Sequence, residues 1–224
     1  MERSEIPFTN DHFAAYCRKM VGHPYWMGTC GYKATKSLLK TKTNQYPQHY
    51  SQSRMKRYYQ DIENKEIVCD CIGGIKGYAW TGGGDAIISA LNNDLSISCV
   101  YASHGCPDYG ANTMYRWAKK KGAAWGTIDS IPEIQGIALY KDGHTGYYVG
   151  NGLVVEWRSF SYGCVETELS KRPWTHWYAF PFLDYGEAQF SQQKEDRELG
   201  DRVLKKGCRG NDVKALQELL IHFG

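Results

Sequence analysis

The chain has 224 residues, 42% of them hydrophobic and 23% charged, the balance of a folded globular protein rather than a disordered one. Its net charge of +3 excludes a uniformly basic nucleic-acid binder, yet residues 31–60 carry Lys33, Lys36, Lys40, Lys42, Arg54, Lys56 and Arg57 and no acid. Eight cysteines with no paired Cys-x-x-Cys set argue against a zinc ribbon and for free thiols.

The first predicted element is a helix over about 11–21, with Thr9 or Asn10 as N-cap and Phe13, Tyr16, Cys17 and Met20 on one face. Gly22 and Pro24 end it. Residues 31–60 are polar, basic and Tyr-rich, and read as an inserted excursion, helical in part near Lys36 to Leu39. Apolar residues resume at Ile67 and Val68, and a stretch of helical length follows to Trp80 despite Gly73, Gly74 and Gly77. Each glycine costs roughly 1 kcal/mol against Ala in a helix, so a helix that keeps three needs close backbone approach there. Another helix is expected over 112–121, with Met114, Trp117 and Ala118 inward.

The rhythm then changes to short apolar runs at 134–140, 146–149 and 153–157. The last two are joined by Gly150-Asn151-Gly152, a strong hairpin signal. The polar residues 187–200 read as a linker, and 203–223 as one amphipathic helix. The fold class is therefore α+β over residues 1–186, helices first and then a small antiparallel sheet.

One constellation carries chemistry. A thiol nucleophile needs a base within reach, a third group to orient that base, and a setting that favours thiolate. Cys71 stands where a strand-like approach meets a helix N-terminus. His144 opens a strand, and Glu156 follows twelve positions later. With a hairpin turning at Asn151-Gly152, these two fall on neighbouring strands near the same end, so Glu156 takes one imidazole nitrogen while the other faces Cys71. No metal or organic cofactor is needed for such a site. Each residue alone also fits a plainer reading: Cys71 a core thiol, His144 a turn histidine, Glu156 a solvated carboxylate.

The segments Pro24-Tyr25-Trp26-Met27-Gly28, Asp70-Cys71-Ile72-Gly73 and Gly143-His144-Thr145-Gly146-Tyr147-Tyr148-Val149-Gly150-Asn151-Gly152 resemble the three motifs of the NlpC-type cell-wall cysteine peptidases (the NlpC and p-sixty family). The resemblance implies a papain-like fold and hydrolysis of peptidoglycan stem peptides, commonly at the γ-D-glutamyl to diamino-acid bond. It implies Cys71 as nucleophile, His144 as base, Glu156 at the third polar position, and Tyr25, with Trp26 and Asp70, at the substrate. Two departures stand out: Ile72 replaces the usual Ser, and Tyr25 lies 46 residues before Cys71 rather than about a dozen, which makes 31–60 an insertion.

Residues 204–220 are similar to the opening of a small three-helix peptidoglycan-binding domain, with Asn211 as N-cap and Val213, Leu216 and Leu220 as its buried stripe. Residues 201–224 hold only the first of those helices. The expected partner is bacterial peptidoglycan, not nucleic acid. No run of 18 apolar residues predicts a membrane span, and no signal peptide is visible in MERSEIPFTNDH, which suits a phage-encoded hydrolase or one released by another route. Two other functions remain open: an N-acetylmuramoyl-L-alanine amidase, and an inactive wall-binding module in which Ile72 marks decay. The basic 31–60 stretch is either a solvated face or a contact for anionic wall polymer.

Overall fold

A computed structural model describes residues 8–93, 97–186, 190 and 211–223. Helix α1 (Asn10–Lys19) begins where the Thr9 hydroxyl accepts the His12 N–H, and its stripe of Phe13, Tyr16 and Cys17 is buried, with Met20 just past its end. Strand β1 (Cys30–Lys33) pairs antiparallel with β2 (Ile67–Cys69). Between them lie α2 (Lys36–Gln45) and α3 (Met55–Glu63).

The basic excursion is thus folded rather than a solvated face. Leu39, Tyr50 and Tyr58 turn inward and join Trp26, Ala34 and Val68 in a second, smaller core cluster. Its inward residues follow no single period, because they come from two short helices and the turn between them. On α2, Lys36 and Lys40 are exposed, whereas Lys42 is buried.

Helix α4 (Gly73–Trp80) keeps its glycines because no side chain fits at any of the three, Gly77 lying against the Cys30 carbonyl of β1. A Cβ on Gly73 would stand 2.0 Å from the Thr29 carbonyl oxygen, and one on Gly74 would stand 2.4 Å from the Trp157 ring. The helix is therefore pressed against the entry to β1 on one side and the large sheet on the other. Helix α5 (Asp85–Asn93), which the sequence pattern did not predict, follows three glycines of positive φ, and α6 (Ala111–Lys120) buries Met114 and Ala118 while Trp117 stays half-buried.

The large sheet contains β3 (Trp125–Thr127), β4 (Ala138–Lys141), β5 (His144–Gly150), β6 (Leu153–Ser159), β7 (Gly163–Glu168) and β8 (His176–Tyr178). Its order is β3-β8-β4-β5-β6-β7, antiparallel throughout. The run expected from 134 becomes a strand only at Ala138. The β5–β6 hairpin turns at Asn151 and Gly152, both at positive φ (56° and 70°), and sets Tyr147 opposite Val155.

Alternation then sorts the two faces of the sheet. Ala138, Tyr147, Val155, Trp157 and Tyr178 join Phe13, Ile75, Tyr78 and Met114 in the main core beneath the helices. His144, Gly146, Val154 and Glu156 point the other way. Helices and an antiparallel sheet segregated in this manner make an α+β architecture.

The chain divides into two units, Met1–Ala188 and Gln189–Gly224. Apart from Phe190, the expected linker 187–200 and residues 201–210 lie outside the described residues, as does the start of the predicted 203–223 helix. In the second unit, α7 (Asn211–Phe223) has Asn211 as its first helical residue. Leu220, expected in a buried stripe, is 64% exposed. No helix among the described residues is long and apolar enough to cross a membrane.

Candidate active site

Cys71 sits in the tight turn between β2 and α4. Asp70 ties that turn down: its Oδ1 accepts the Gly73 N–H (2.7 Å) and its Oδ2 accepts the Gly28 N–H (2.9 Å). From the sheet side, the Tyr147 hydroxyl donates to the Cys71 carbonyl (2.7 Å) and accepts the Ile75 N–H (3.2 Å). The residue, partly exposed as a whole, is thus pinned through its backbone. Burial pushes the thiol up to about 12 and the Asp70 carboxylate adds to this, against the pull of the N–H groups of Thr145, Ile72 and Cys71 itself. Such a thiol needs a cationic partner to act as thiolate.

The base expected from the sequence opens β5, one residue before Thr145, whose backbone meets the Cys71 sulfur. His144 Nε2 lies 2.7 Å from Glu156 Oε2, so the twelve-residue spacing and the hairpin do bring these side chains together. Glu156 is 0% exposed and has every reason to be ionised there. Burial works against it, but hydrogen bonds from His144 and Arg172 outweigh that and hold its carboxyl at about 2. Arg172 grips both oxygens, Nε to Oε1 at 2.6 Å and Nη2 to Oε2 at 3.0 Å, and the Thr167 hydroxyl donates to Oε1 at 3.0 Å. With Nε2 tied to Glu156, the Nδ1 nitrogen is the one left for chemistry.

Trp174 stacks on the His144 ring, centroids 5.5 Å apart and planes within 10°. Gly146 makes this possible, since a Cβ there would stand 2.8 Å from the Trp174 ring. His144 is therefore clamped edge-on by Glu156 and face-on by Trp174. Its side chain lies on the far face of β5 from the helices, whereas the Cys71 sulfur meets the backbone of Thr145, one residue along. No hydrogen bond among the described residues joins Cys71 to His144. The Cys71 sulfur and the His144 imidazole thus approach the start of β5 at neighbouring residues, the first at Thr145 and the second at His144 itself.

The three expected substrate residues divide. Tyr25 bridges to Cys69, is half-buried, and donates to the Met27 sulfur (3.6 Å). Burial raises its phenol, with Cys71 and Asp70 raising it further, and the bridge to Cys69 sets it alongside the end of β2, two residues before the nucleophile, despite the long sequence gap. Trp26 is a correction: it is fully buried, donates to Asp61 Oδ2 (2.8 Å), and meets Tyr50 and Tyr58 edge to face, leaving no surface for a substrate. Asp70 is occupied by backbone N–H groups, so it positions Cys71 rather than presenting a free carboxylate.

Sequence reasoning missed Arg172 and Thr167. Neither belongs to a motif; the only signal was that a carboxylate facing the inside of a hairpin must find donors. The seven cysteines among the described residues are free, and no cluster of three His, Cys, Asp or Glu side chains fit to hold a metal occurs among the described residues. Comparison with known proteins finds no family model that matches the chain and no curated protein that matches it.

Proposed function

We propose that the chain is a thiol hydrolase that cleaves amide bonds of peptidoglycan stem peptides, using Cys71, His144 and Glu156. The observation that carries this reading is the His144–Glu156 pair at 2.7 Å, its carboxylate buried and fixed by Arg172. A carboxylate buried at such cost, with an arginine to keep it charged, has a purpose in orienting an imidazole. The substrate class rests on the resemblance of the Tyr25, Cys71 and His144 segments to the NlpC-type motifs within an α+β frame, for which we propose the papain-like arrangement.

In the proposed reaction His144 Nδ1 takes the Cys71 proton as the substrate enters. The thiolate attacks the amide carbonyl, and the Cys71 N–H, which donates to no oxygen among the described residues, receives the developing oxyanion. Glu156 stabilises the imidazolium, which then protonates the leaving amine. Water attacks the thioester, returns its proton to His144, and frees the acid and Cys71.

A digest of defined muropeptides tests this. A free diamino-acid amine marks a γ-D-glutamyl endopeptidase, and a free L-Ala amino terminus marks an N-acetylmuramoyl-L-alanine amidase. One observation favours a second reading, a wall-binding module without turnover: the Cys71 thiol, pushed up to about 12, has no hydrogen bond to His144. Wall binding without any cleaved product establishes that reading and removes the first.

A further inference from the structure

The positive charges of the excursion are not spread evenly in space. Arg54 and Arg57 both lay their guanidinium groups over the ring of Phe160, 4.7 and 5.6 Å from its centroid. Phe160 lies in the turn between β6 and β7, and Tyr162 in the same turn carries Arg158 only 3.9 Å from its own ring centroid. Arg158 stands two positions beyond Glu156 on β6. Three guanidiniums thus run from the strand that holds the histidine's partner, across its turn, to the start of α3.

None of the three has a carboxylate at ion-pair distance among the described residues. Arg54 uses one N–H on the His49 carbonyl (2.9 Å). Asp61, whose charge Arg57 feels, is buried and bonded to Trp26. Arg54 and Arg57 share one aromatic face and Arg158 rests on a second ring of the same turn, so a ligand with negative groups meets guanidiniums already held in place. Guanidinium forks match carboxylate and phosphate oxygens in pairs, and Tyr162, 54% exposed, adds a face on which a ligand can rest. The lysines of the same stretch are different: Lys42 is buried and bonded to Gln45, while Lys36 and Lys40 sit on α2 with no aromatic platform of this kind.

We propose that Arg54, Arg57 and Arg158 form an anion-binding exosite that holds a polymer with repeated acidic groups, carboxylate or phosphodiester, alongside the His144–Glu156 pair. That the polymer is bacterial wall rests on the function proposed above; the exosite chemistry stands on the arginines themselves.

The test is co-sedimentation of the full chain with insoluble bacterial wall over a range of sodium chloride concentrations. The R54Q/R57Q/R158Q variant is expected to bind about tenfold more weakly at low salt and to lose most of the salt dependence, as removing about three charge contacts should do. A K36Q/K40Q control is expected to bind like the wild type. Wall stripped of phosphodiester polymer separates the ligand sources: a deficit that persists points to stem carboxylates, one that vanishes to phosphodiesters. If the glutamine variant fails to fold, R54K/R57K/R158K takes its place, with a several-fold loss expected because the paired geometry is gone. Equal binding by variant and wild type, or equal loss in the lysine control, overturns the exosite. Cys71→Ala is expected to bind wall normally, so failure of the hydrolase reading leaves this result readable.

Discussion

His144 and Glu156, twelve residues apart, meet at 2.7 Å because one hairpin folds β5 back on β6 with both side chains on the same face. The pair is diagonal rather than directly opposite, which lets an imidazole and a carboxylate reach end to end. Gly146 leaves room for Trp174 on the face of the imidazole, and Arg172 closes the far side of the carboxylate.

Arg172 is the residue on which this pair depends. Replacing it with methionine leaves Glu156 buried without its main counter-charge, and the expected loss of stability is about 3 kcal/mol in urea unfolding. Removing both partners in E156M/R172M is expected to restore most of that stability without restoring catalysis. Equal stability of R172M and wild type would show that the carboxylate is solvated in the folded chain.

The same carboxylate sets an acid limit. Its folded pKa of about 2 lies below the ordinary glutamate value of about 4.3, so the folded state binds this proton less readily than the unfolded chain. The stability it contributes is full above that ordinary value and is lost as pH falls through the interval towards 2. Glu156→Gln is expected to be less stable than wild type at neutral pH and to show a flatter decline across that interval, read by thermal unfolding at stepped pH.

Packing at α4 gives a test of how Cys71 is placed. Gly73→Ala drives a Cβ into the Thr29 carbonyl, a backbone atom that cannot step aside, whereas Gly74→Ala meets side-chain rings of Trp157 and Tyr147. Both are expected to destabilise by roughly 1–3 kcal/mol, Gly73→Ala more, with the melting temperature falling accordingly. Gly73→Ala should also cost activity beyond its effect on folding, since it shifts the turn that presents the thiol. A fully active and stable Gly73→Ala protein would contradict this packing.

Much of this was legible in the sequence, and for local reasons. Thr9 before a 3.6-residue stripe marks α1, Asn151-Gly152 marks the β5–β6 turn, and those two strands carry His144 and Glu156 to one place. The glycines of α4 announced a close approach without saying to what. The rest depended on non-local partners. Trp26 reads like a site residue beside Tyr25 until Asp61 and Tyr58, more than thirty residues on, enclose it. Strands β3 and β8 are three residues each, too short for alternation to register, and β7 alternates Val165 and Thr167 with exposed Glu166 and Glu168. Arg172 has no motif, and its role exists only once the hairpin has buried Glu156.

The most direct measurement is the rate at which iodoacetamide alkylates Cys71 at neutral pH, followed by peptide mass mapping in wild type, His144→Ala and Glu156→Gln. A thiol held at about 12 by burial reacts slowly unless an imidazolium supports its thiolate. The expected result is ready labelling of wild-type Cys71 and at least a tenfold drop in His144→Ala, with Glu156→Gln in between. Slow labelling of Cys71 in all three proteins, at indistinguishable rates, would contradict the thiol mechanism and leave a binding module in its place.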